Sequence, residues 1–430
     1  MHPIRLGVLG CGNVGAAFVD LVAQRRVDIA SRLDLDITVE AVAVRSLARE
    51  RAVTVGADVL TADPRAVVTS PDVDVVVELM GGVEPARELV ATALKAGKPV
   101  VTANKELLAN HGAELYAEAA DAGVDLLFEA AVGGAIPLVR ALRNSLAGEP
   151  VERMMGIVNG TTNFILSRMT ESGSAYAEAL AEAQTLGFAE RDPTADVEGH
   201  DAAAKAAIMA TVAFGGVVVA GDVHAEGISG VDAVDISMAA RLGHVIKLLA
   251  IVERSEGDPP EVSVRVHPSM VPVDHPLASV RESFNAVFVE GGAAGELMFY
   301  GRGAGGLPTA SAVLGDVVDA ARNLRAGTSR GLGRLHRAKV RSIDESVSPY
   351  YIRMTVKDRP GVLATVAGVF GDHAVSIRSM EQDEVDENGA RLVFITHSAL
   401  ERDIQATLAQ LRETDGVVSV GSLVRVVGGD

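Results

Sequence analysis

The sequence predicts an α/β protein in three parts: an open parallel sheet wound with helices, an α+β domain, and a C-terminal βαββαβ module. Three observations carry that expectation. Strand and helix signals alternate through residues 1–150, the alternation breaks at residue 151, and four strands and two helices fill 349–430. A chain of 430 residues fits about three domains. Hydrophobic residues are 48% and charged residues 22%, an ordinary globular balance that excludes a disordered chain. There are 57 acidic against 39 basic side chains, a net charge of −18. That balance argues against nucleic-acid and anionic-membrane partners, which need a basic face. A single cysteine, Cys11, excludes a disulfide framework and a cysteine zinc site.

Each element follows from local pattern. An apolar run at 4–9 ends in glycine and reads as a strand; 16–24 reads as a helix. Further strands fall at 37–44, 73–77, 100–102 and 124–128, with helices at 85–96, stopped by Gly97, and 106–120. Strands and helices alternating in this way make βαβ units and a parallel sheet over 1–150, a Rossmann-like arrangement. An α+β domain over 151–306 has a strand at 154–158, alanine-rich helices at 175–185 and 202–213, and strand-like runs at 262–266, 286–289 and 297–300. A helix follows at 310–325, within a segment 307–325, and a Gly-, Ser- and Arg-rich linker at 326–348. The C-terminal part, 349–430, places strands at 351–356, 375–380, 391–396 and 417–426 and helices at 361–370 and 403–412, a ferredoxin-like order. Asp358 is expected to cap the first of these helices, with Pro360 in its first turn. The longest apolar stretch, 206–220, contains Thr211 and two glycines and is too short for a bilayer. No basic leader precedes the first strand, so a soluble cytoplasmic protein is expected.

Three segments carry chemistry. Gly10-Cys11-Gly12-Asn13-Val14-Gly15 is a GxGxxG after a strand and before a helix, a pattern that lets a pyrophosphate approach the backbone at a helix N-terminus. The second strand ends at Arg45 rather than at an acidic residue, which favours NADP over NAD; a plain surface arginine is the alternative. The interval from Gly15 to Arg45 exceeds the usual one, which a longer first helix and loop over 25–36 would explain. Cys11 reads as a small hydrophobe. Next, Asp201 and Lys205 are four apart on one helix face, followed by the almost wholly apolar stretch 206–210. A lysine in the first turns of a buried helix loses solvation, its pKa falls towards neutrality, and it can transfer protons; an isolated surface pair would do none of this. Finally, Thr102 and Lys105 sit at the carboxyl end of a parallel strand, where open α/β sheets bind ligands. Lys105 reads equally as a ligand contact or as an ordinary helix-start lysine.

Together the glycine loop, TANKE (102–106), EAAVGGAIP (129–137), GIVNGTTNFIL (156–166), LGFAERDPTADVEGHDAAAK (186–205) and YGRGAGGLPTASAV (300–313) resemble homoserine dehydrogenase, in that family's order. The resemblance implies NAD(P)-dependent interconversion of L-homoserine and L-aspartate 4-semialdehyde, on the route to threonine and methionine. It makes Lys205 the acid/base and Lys105 its partner. Glu190, Asp196 and Asp201 hold the substrate amino group and order the pocket, with Gly187 in the same loop. Gly10, Gly12, Asn13, Val14, Gly15, Arg45, Thr102 and Lys105 contact the cofactor, and Gly303 and Gly305 approach its nicotinamide half. Glu129, with the carbonyls of Val132, Gly134 and Ile136, matches a monovalent cation site, a hard-ligand set suited to sodium. The plainer reading of Glu129 is a strand-end carboxylate bonded to nearby amides. The family's domain at 151–306 handles substrate and dimerisation, and the helix at 307–325 returns to the dinucleotide domain. Where the family writes proline after the glutamate, this chain has Arg191. Arg302 lies in the glycine-rich turn, within reach of a phosphate.

The C-terminal pattern around Lys357-Asp358-Arg359-Pro360-Gly361 resembles an ACT domain. That resemblance implies feedback inhibition by L-threonine in a homodimer or homotetramer; a module that only assembles subunits is the alternative. Two rival functions remain distinguishable. A dehydrogenase for another amino acid such as aspartate would not carry the DPTADVEG segment. A non-catalytic sensor would have lost Lys105, Glu190, Asp201 and Lys205.

Overall fold

Short apolar strands closing on helix N-termini build the first sheet. The computed structural model describes residues 3–428 except 49–50, 52, 54, 256, 258–259 and 387–388, with backbone alone for 383–386. Six parallel strands are arranged with Leu60–Thr61, Ile37–Ala43 and Ile4–Leu9 on one side, then Val75–Glu78, Val100–Thr102 and Leu126–Leu127. Strand order therefore reverses beside the first strand, where such sheets bind ligands. Leu6, Val8, Val75, Val76, Val77, Val100 and Val101 are fully buried, because helices cover both faces and no solvated face remains to alternate with. Helix Asn13–Leu33 extends the 16–24 stretch: it runs 21 residues and ends with Asp34 in the left-handed region. The longer first helix accounts for most of the interval from Gly15 to Arg45, as expected, with only a short turn after it. The small strand Leu60–Thr61 and helix Pro64–Thr69, capped by the Asp63 side chain, were not expected.

A second, ten-stranded sheet spans the rest of the molecule. Its path runs through Gly295–Arg302, Phe284–Gly291, Val151–Ile157, His244–Arg254 and Val262–Pro272, then continues into Val417–Val426, Tyr350–Val356, Gly389–Thr396 and Ile377–Asp386, with His224–Ala225 pairing off this path. The junction is parallel, through Ser269 with Arg425 and Met270 with Val426. Within the C-terminal module the order is fourth strand, first, third, second, all antiparallel, the ferredoxin-like arrangement. The expected Asp358 cap does not form. Gly361 occupies the cap position in the left-handed region, and no side chain caps the helix Val362–Asp372.

Strand His244–Arg254 and helix Gly160–Ser172 lay outside the expected elements. The strand's central residues are buried in succession, so period-two alternation is absent. The helix carries Thr161, Thr162 and Asn163, poor helix formers, and eight of its residues are buried; packing overrides propensity. The stretch 326–348 pairs His336–Arg337 with Gly216–Val217 and bridges Val340 to Val262. Helix Gly306–Ala326 packs on Asn13–Leu33 and buries Val313, Val317 and Ala321 in the same core as Leu6, Val8 and Phe18. Among the described residues no helix is long and apolar enough to cross a membrane.

Candidate active site

Helix His200–Phe214 is buried from Asp201 to Thr211, and its alanines let neighbouring strands approach. Asp201 and Lys205 therefore enter the protein interior on its first turns. Lys205 is 9% exposed. Its Nζ donates to Asp201 Oδ2 at 2.7 Å and to the Val158 carbonyl at 2.7 Å. The other carboxylate oxygen, Oδ1, accepts from Lys105 Nζ. One buried carboxylate thus bridges two lysines from different domains, and the Lys105 side chain remains 38% exposed on the open side.

The electrostatics differ between the two lysines. Burial pushes Lys205 down from the ordinary lysine value; Asp201 opposes this and Lys105 adds to it. Burial also works to lower Lys105, but the Asp201 carboxylate outweighs it and the net direction is upward. Asp201 is held well below the usual carboxylate range, because the two ammonium groups overcome its burial. Lys205 is the lysine whose neutral form is brought within reach, as proton transfer requires.

Asn159 organises the cluster, a role that sequence reading missed. It caps helix Gly160–Ser172 with Oδ1, accepting from Thr162 N at 2.9 Å. Its Nδ2 donates to Asp201 Oδ2 at 2.8 Å and Asp196 Oδ1 at 2.7 Å. Thr161 Oγ1 donates to the Phe188 carbonyl at 2.6 Å and lies 3.2 Å from Asp196 Oδ2. An Asn before a run of Thr is a cap signal in sequence, but the second bond to a carboxylate 42 positions away is not. Glu190 is not brought into this network: it is exposed, makes no side-chain hydrogen bond among the described residues, and only its carbonyl is used, by Gln184. Gly187 is exposed nearby at φ +78°.

The glycine loop fits a dinucleotide. A Cβ on Gly15 would stand 2.3 Å from the Gly10 carbonyl, whereas a Cβ on Gly12 meets nothing within 4 Å. Close packing is needed at one glycine and open approach is left at the other. Gly12 caps the helix without a side chain, so its first amides are available to a phosphate. A cleft of about 480 Å³ is lined by Gly10, Cys11, Gly12, Arg45, Arg51 and Met80, which places Arg45 with the loop. Gly303 and Gly305 lead into helix Gly306–Ala326, and a Cβ on Gly306 would stand 2.9 Å from Asn13 Oδ1, so the two glycine turns meet. Thr102 does not reach out: it is fully buried, donating to Glu78 Oε2 at 2.6 Å and accepting from Asn104 N at 3.0 Å. It shapes the turn that presents Lys105.

Glu129 is buried, and its carboxylate accepts from Val139 N at 2.9 Å and Arg140 N at 2.7 Å. Each carboxylate oxygen thus meets one backbone amide, as the plainer reading expects, and keeps a further lone pair. The peptide oxygens of Val132 and Gly134 accept no hydrogen bond among the described residues, while that of Ile136 accepts from Leu138 N at 2.8 Å. Those two carbonyls and the carboxylate are hard ligands of the kind a monovalent cation takes.

Comparisons with known proteins agree in kind. The family model described as homoserine dehydrogenase matches residues 137–318, that described as its NAD binding domain matches 10–129, and the ACT domain model matches 350–416. A homoserine dehydrogenase of Corynebacterium glutamicum is 50% identical over 427 residues, covering 98% of this chain and 95% of that one. The crystal structure of a homoserine dehydrogenase from Thiobacillus denitrificans superposes with a TM-score of 0.93 at 40% identity, over 99% of this chain and 98% of that one. A hyperthermophilic archaeal homoserine dehydrogenase in complex with NADPH matches with a TM-score of 0.62 at 26% identity, over 75% of this chain and 98% of that one.

Proposed function

The chain belongs to the homoserine dehydrogenase family of NAD(P)-dependent oxidoreductases, and on that premise we propose that it interconverts L-homoserine and L-aspartate 4-semialdehyde at the Lys105–Asp201–Lys205 cluster. The observation that carries the proposal is the single buried carboxylate shared by two lysines at the carboxyl edge of the parallel sheet. When bound, the nicotinamide cofactor supplies the hydride chemistry.

The chain supplies orientation and proton transfer. In oxidation, neutral Lys205 takes the hydroxyl proton; in reduction it returns a proton to the same oxygen. Lys105, fully charged, steadies that oxygen. Asp196, Glu190 and the Gly187 loop receive the substrate ammonium, with Asp201 fixing both lysines. Gly10, Gly12, Asn13, Val14 and Gly15 cradle the diphosphate, Gly303 and Gly305 back the nicotinamide half, and Thr102 sets the turn between them. Arg45 favours NADP, and the relative that binds NADPH supports that choice. The 129–136 turn, with Glu129 and the peptide oxygens of Val132, Gly134 and Ile136, would hold a monovalent cation such as sodium, which would supply a fixed charge to the turn. The region 151–306 forms the catalytic and dimerisation domain. The ACT module at 349–430 senses L-threonine as a feedback signal from the threonine and methionine route. A cytoplasmic homodimer or homotetramer completes the reading.

Reduced-nicotinamide absorbance with purified protein, L-homoserine and NADP or NAD, with and without L-threonine, tests it. Homoserine-dependent turnover that threonine suppresses is expected. Turnover indifferent to threonine removes the feedback reading, and no turnover with either cofactor removes the activity.

A further inference from the structure

The last strand of the chain sends one side chain back towards the substrate loop. Arg425 is 2% exposed and lies at the sheet junction, paired in register with Ser269. Its Nη1 and Nη2 donate to the two carboxylate oxygens of Glu226 at 3.0 and 2.8 Å, and its Nε donates to Glu401 Oε2 at 2.8 Å. Glu226 also meets His224 Nε2 at 2.7 Å. Burial disfavours the charges of Arg425 and Glu226, yet their partners outweigh it: Arg425 is raised further above the arginine range and Glu226 is held well below the carboxylate range. The group is fixed in its charged form.

The backbone that carries Glu226 lies against the loop that leads into the active-site helix. Its carbonyl stands 3.2 Å from where a Cβ on Gly199 would sit, and a Cβ on Gly227 would stand 2.2 Å from the Val197 carbonyl. Ile228 N donates to Val197 O at 2.8 Å. Gly199, left-handed at φ +81°, is the N-cap of His200–Phe214, so the contact falls between Asp196 and Asp201. The Glu226 backbone and the segment that carries Asp196 and Asp201 therefore pack directly on each other, joined by one hydrogen bond from Ile228.

We infer that Arg425 is a positioning residue for the substrate loop: by clamping Glu226 it holds the 196–201 segment in place, so the C-terminal module contributes to turnover through one side chain, independently of any effector. The inference rests on the reading of Asp196, Asp201 and Lys205 as the substrate site. It assigns no chemistry to Arg425, which touches none of them.

The test uses the full-length chain with Glu226→Gln, Arg425→Met, Arg425→Lys and the double variant Glu226→Gln/Arg425→Met. Removing one partner of a buried pair strands the other charge, so Arg425→Met is the variant most at risk of misfolding; the near-isosteric Glu226→Gln decides the matter if it does. Glu226→Gln and Arg425→Met are each expected to raise the homoserine KM about tenfold, with the NADP KM moving less than about twofold. Arg425→Lys recovers part of the loss, and the double variant is no worse than the worse single one, because both act through one contact. A merely structural role lowers the unfolding midpoint and leaves homoserine KM alone. Folded Glu226→Gln with homoserine KM within about twofold of the parent overturns the inference. Lys205→Met, run in parallel, separates the two failures. If it is inactive while Glu226→Gln is normal, only the inference falls; if it turns over normally, the site reading falls and takes the inference with it.

Discussion

Lys205 and Arg425 are both buried cations held by carboxylates, and they are built to opposite ends. At the catalytic cluster two lysines share the single carboxylate of Asp201, one side is open through Lys105, and Lys205 is lowered from its ordinary pKa. At the sheet junction one arginine is shared by two carboxylates, Glu226 and Glu401, the guanidinium is closed off, and its pKa is raised. Excess cation over anion leaves a proton that can be surrendered. Excess anion over cation leaves none, and arginine's high pKa adds to that. Burial acts downward on both cations; the partners let it prevail at Lys205 and overcome it at Arg425, so the difference lies in partner count and residue type rather than in depth.

The contrast predicts where substitution is felt. Asp201→Asn removes the charge that both lysines share and is expected to cut kcat/KM for homoserine by about a hundredfold or more, measured on the folded variant. Glu401→Gln at the junction leaves the Glu226 clamp in place. It is expected to cost about 3 kcal/mol in urea unfolding while kcat stays near the parent value. If Glu401→Gln lowered kcat as far as Asp201→Asn, the two clusters would not be functionally distinct.

Lys105→Met sharpens the division within the catalytic cluster. It removes one charge-assisted contact and leaves the proton-transfer lysine, so a loss of about twentyfold in kcat/KM is expected from steady-state rates. An effect equal to that of replacing Lys205 would make the two lysines interchangeable. Arg45 is a third kind of cation, exposed at the cleft and free of the buried network. Arg45→Ala is expected to raise the NADP KM about tenfold and leave the NAD KM unchanged; equal effects on both cofactors would remove its role in choosing between them.

A further effect, on stability rather than turnover, concerns pH. Asp316 is buried, its Oδ2 accepting from Glu129 N at 2.7 Å and its Oδ1 from Arg140 at 2.9 Å. Burial pushes it up to about 7, with the Glu129 charge adding and Arg140 opposing. The folded state then holds this proton over a range where the unfolded chain has released it. Through this group stability falls as pH rises from the ordinary carboxylate range to about 7, with a slope of at most about 1.4 kcal/mol per pH unit. Urea midpoints of Asp316→Asn across that range should lack this slope; an unchanged slope would assign it elsewhere.

The sequence made some of this visible. The glycine loop, the spacing of Asp201 and Lys205 and the apolar run behind them are local patterns, and local pattern is what a sequence displays directly. The six-strand parallel sheet was legible for the same reason, apart from the two-residue strand Leu60–Thr61. What stayed hidden was contact between distant segments. Asn159 bonds a carboxylate 42 positions away, and Arg425 bonds one 199 positions away. Strand His244–Arg254, buried on both faces, lacks the alternation that would mark it. The amide partners of the Glu129 carboxylate, Val139 and Arg140, come from a turn whose path no residue pattern specifies.

The most direct measurement is the pH profile of kcat/KM for homoserine-dependent NADP reduction, in the parent chain and in Lys205→Met. Burial lowers Lys205, so its neutral form grows as pH rises, and oxidation should climb along a limb that begins below the ordinary lysine range. Lys205→Met should lose that limb and at least about a hundredfold in rate while binding NADP normally. A Lys205→Met variant that keeps near-parent turnover along the same limb would contradict the assignment of the proton to Lys205.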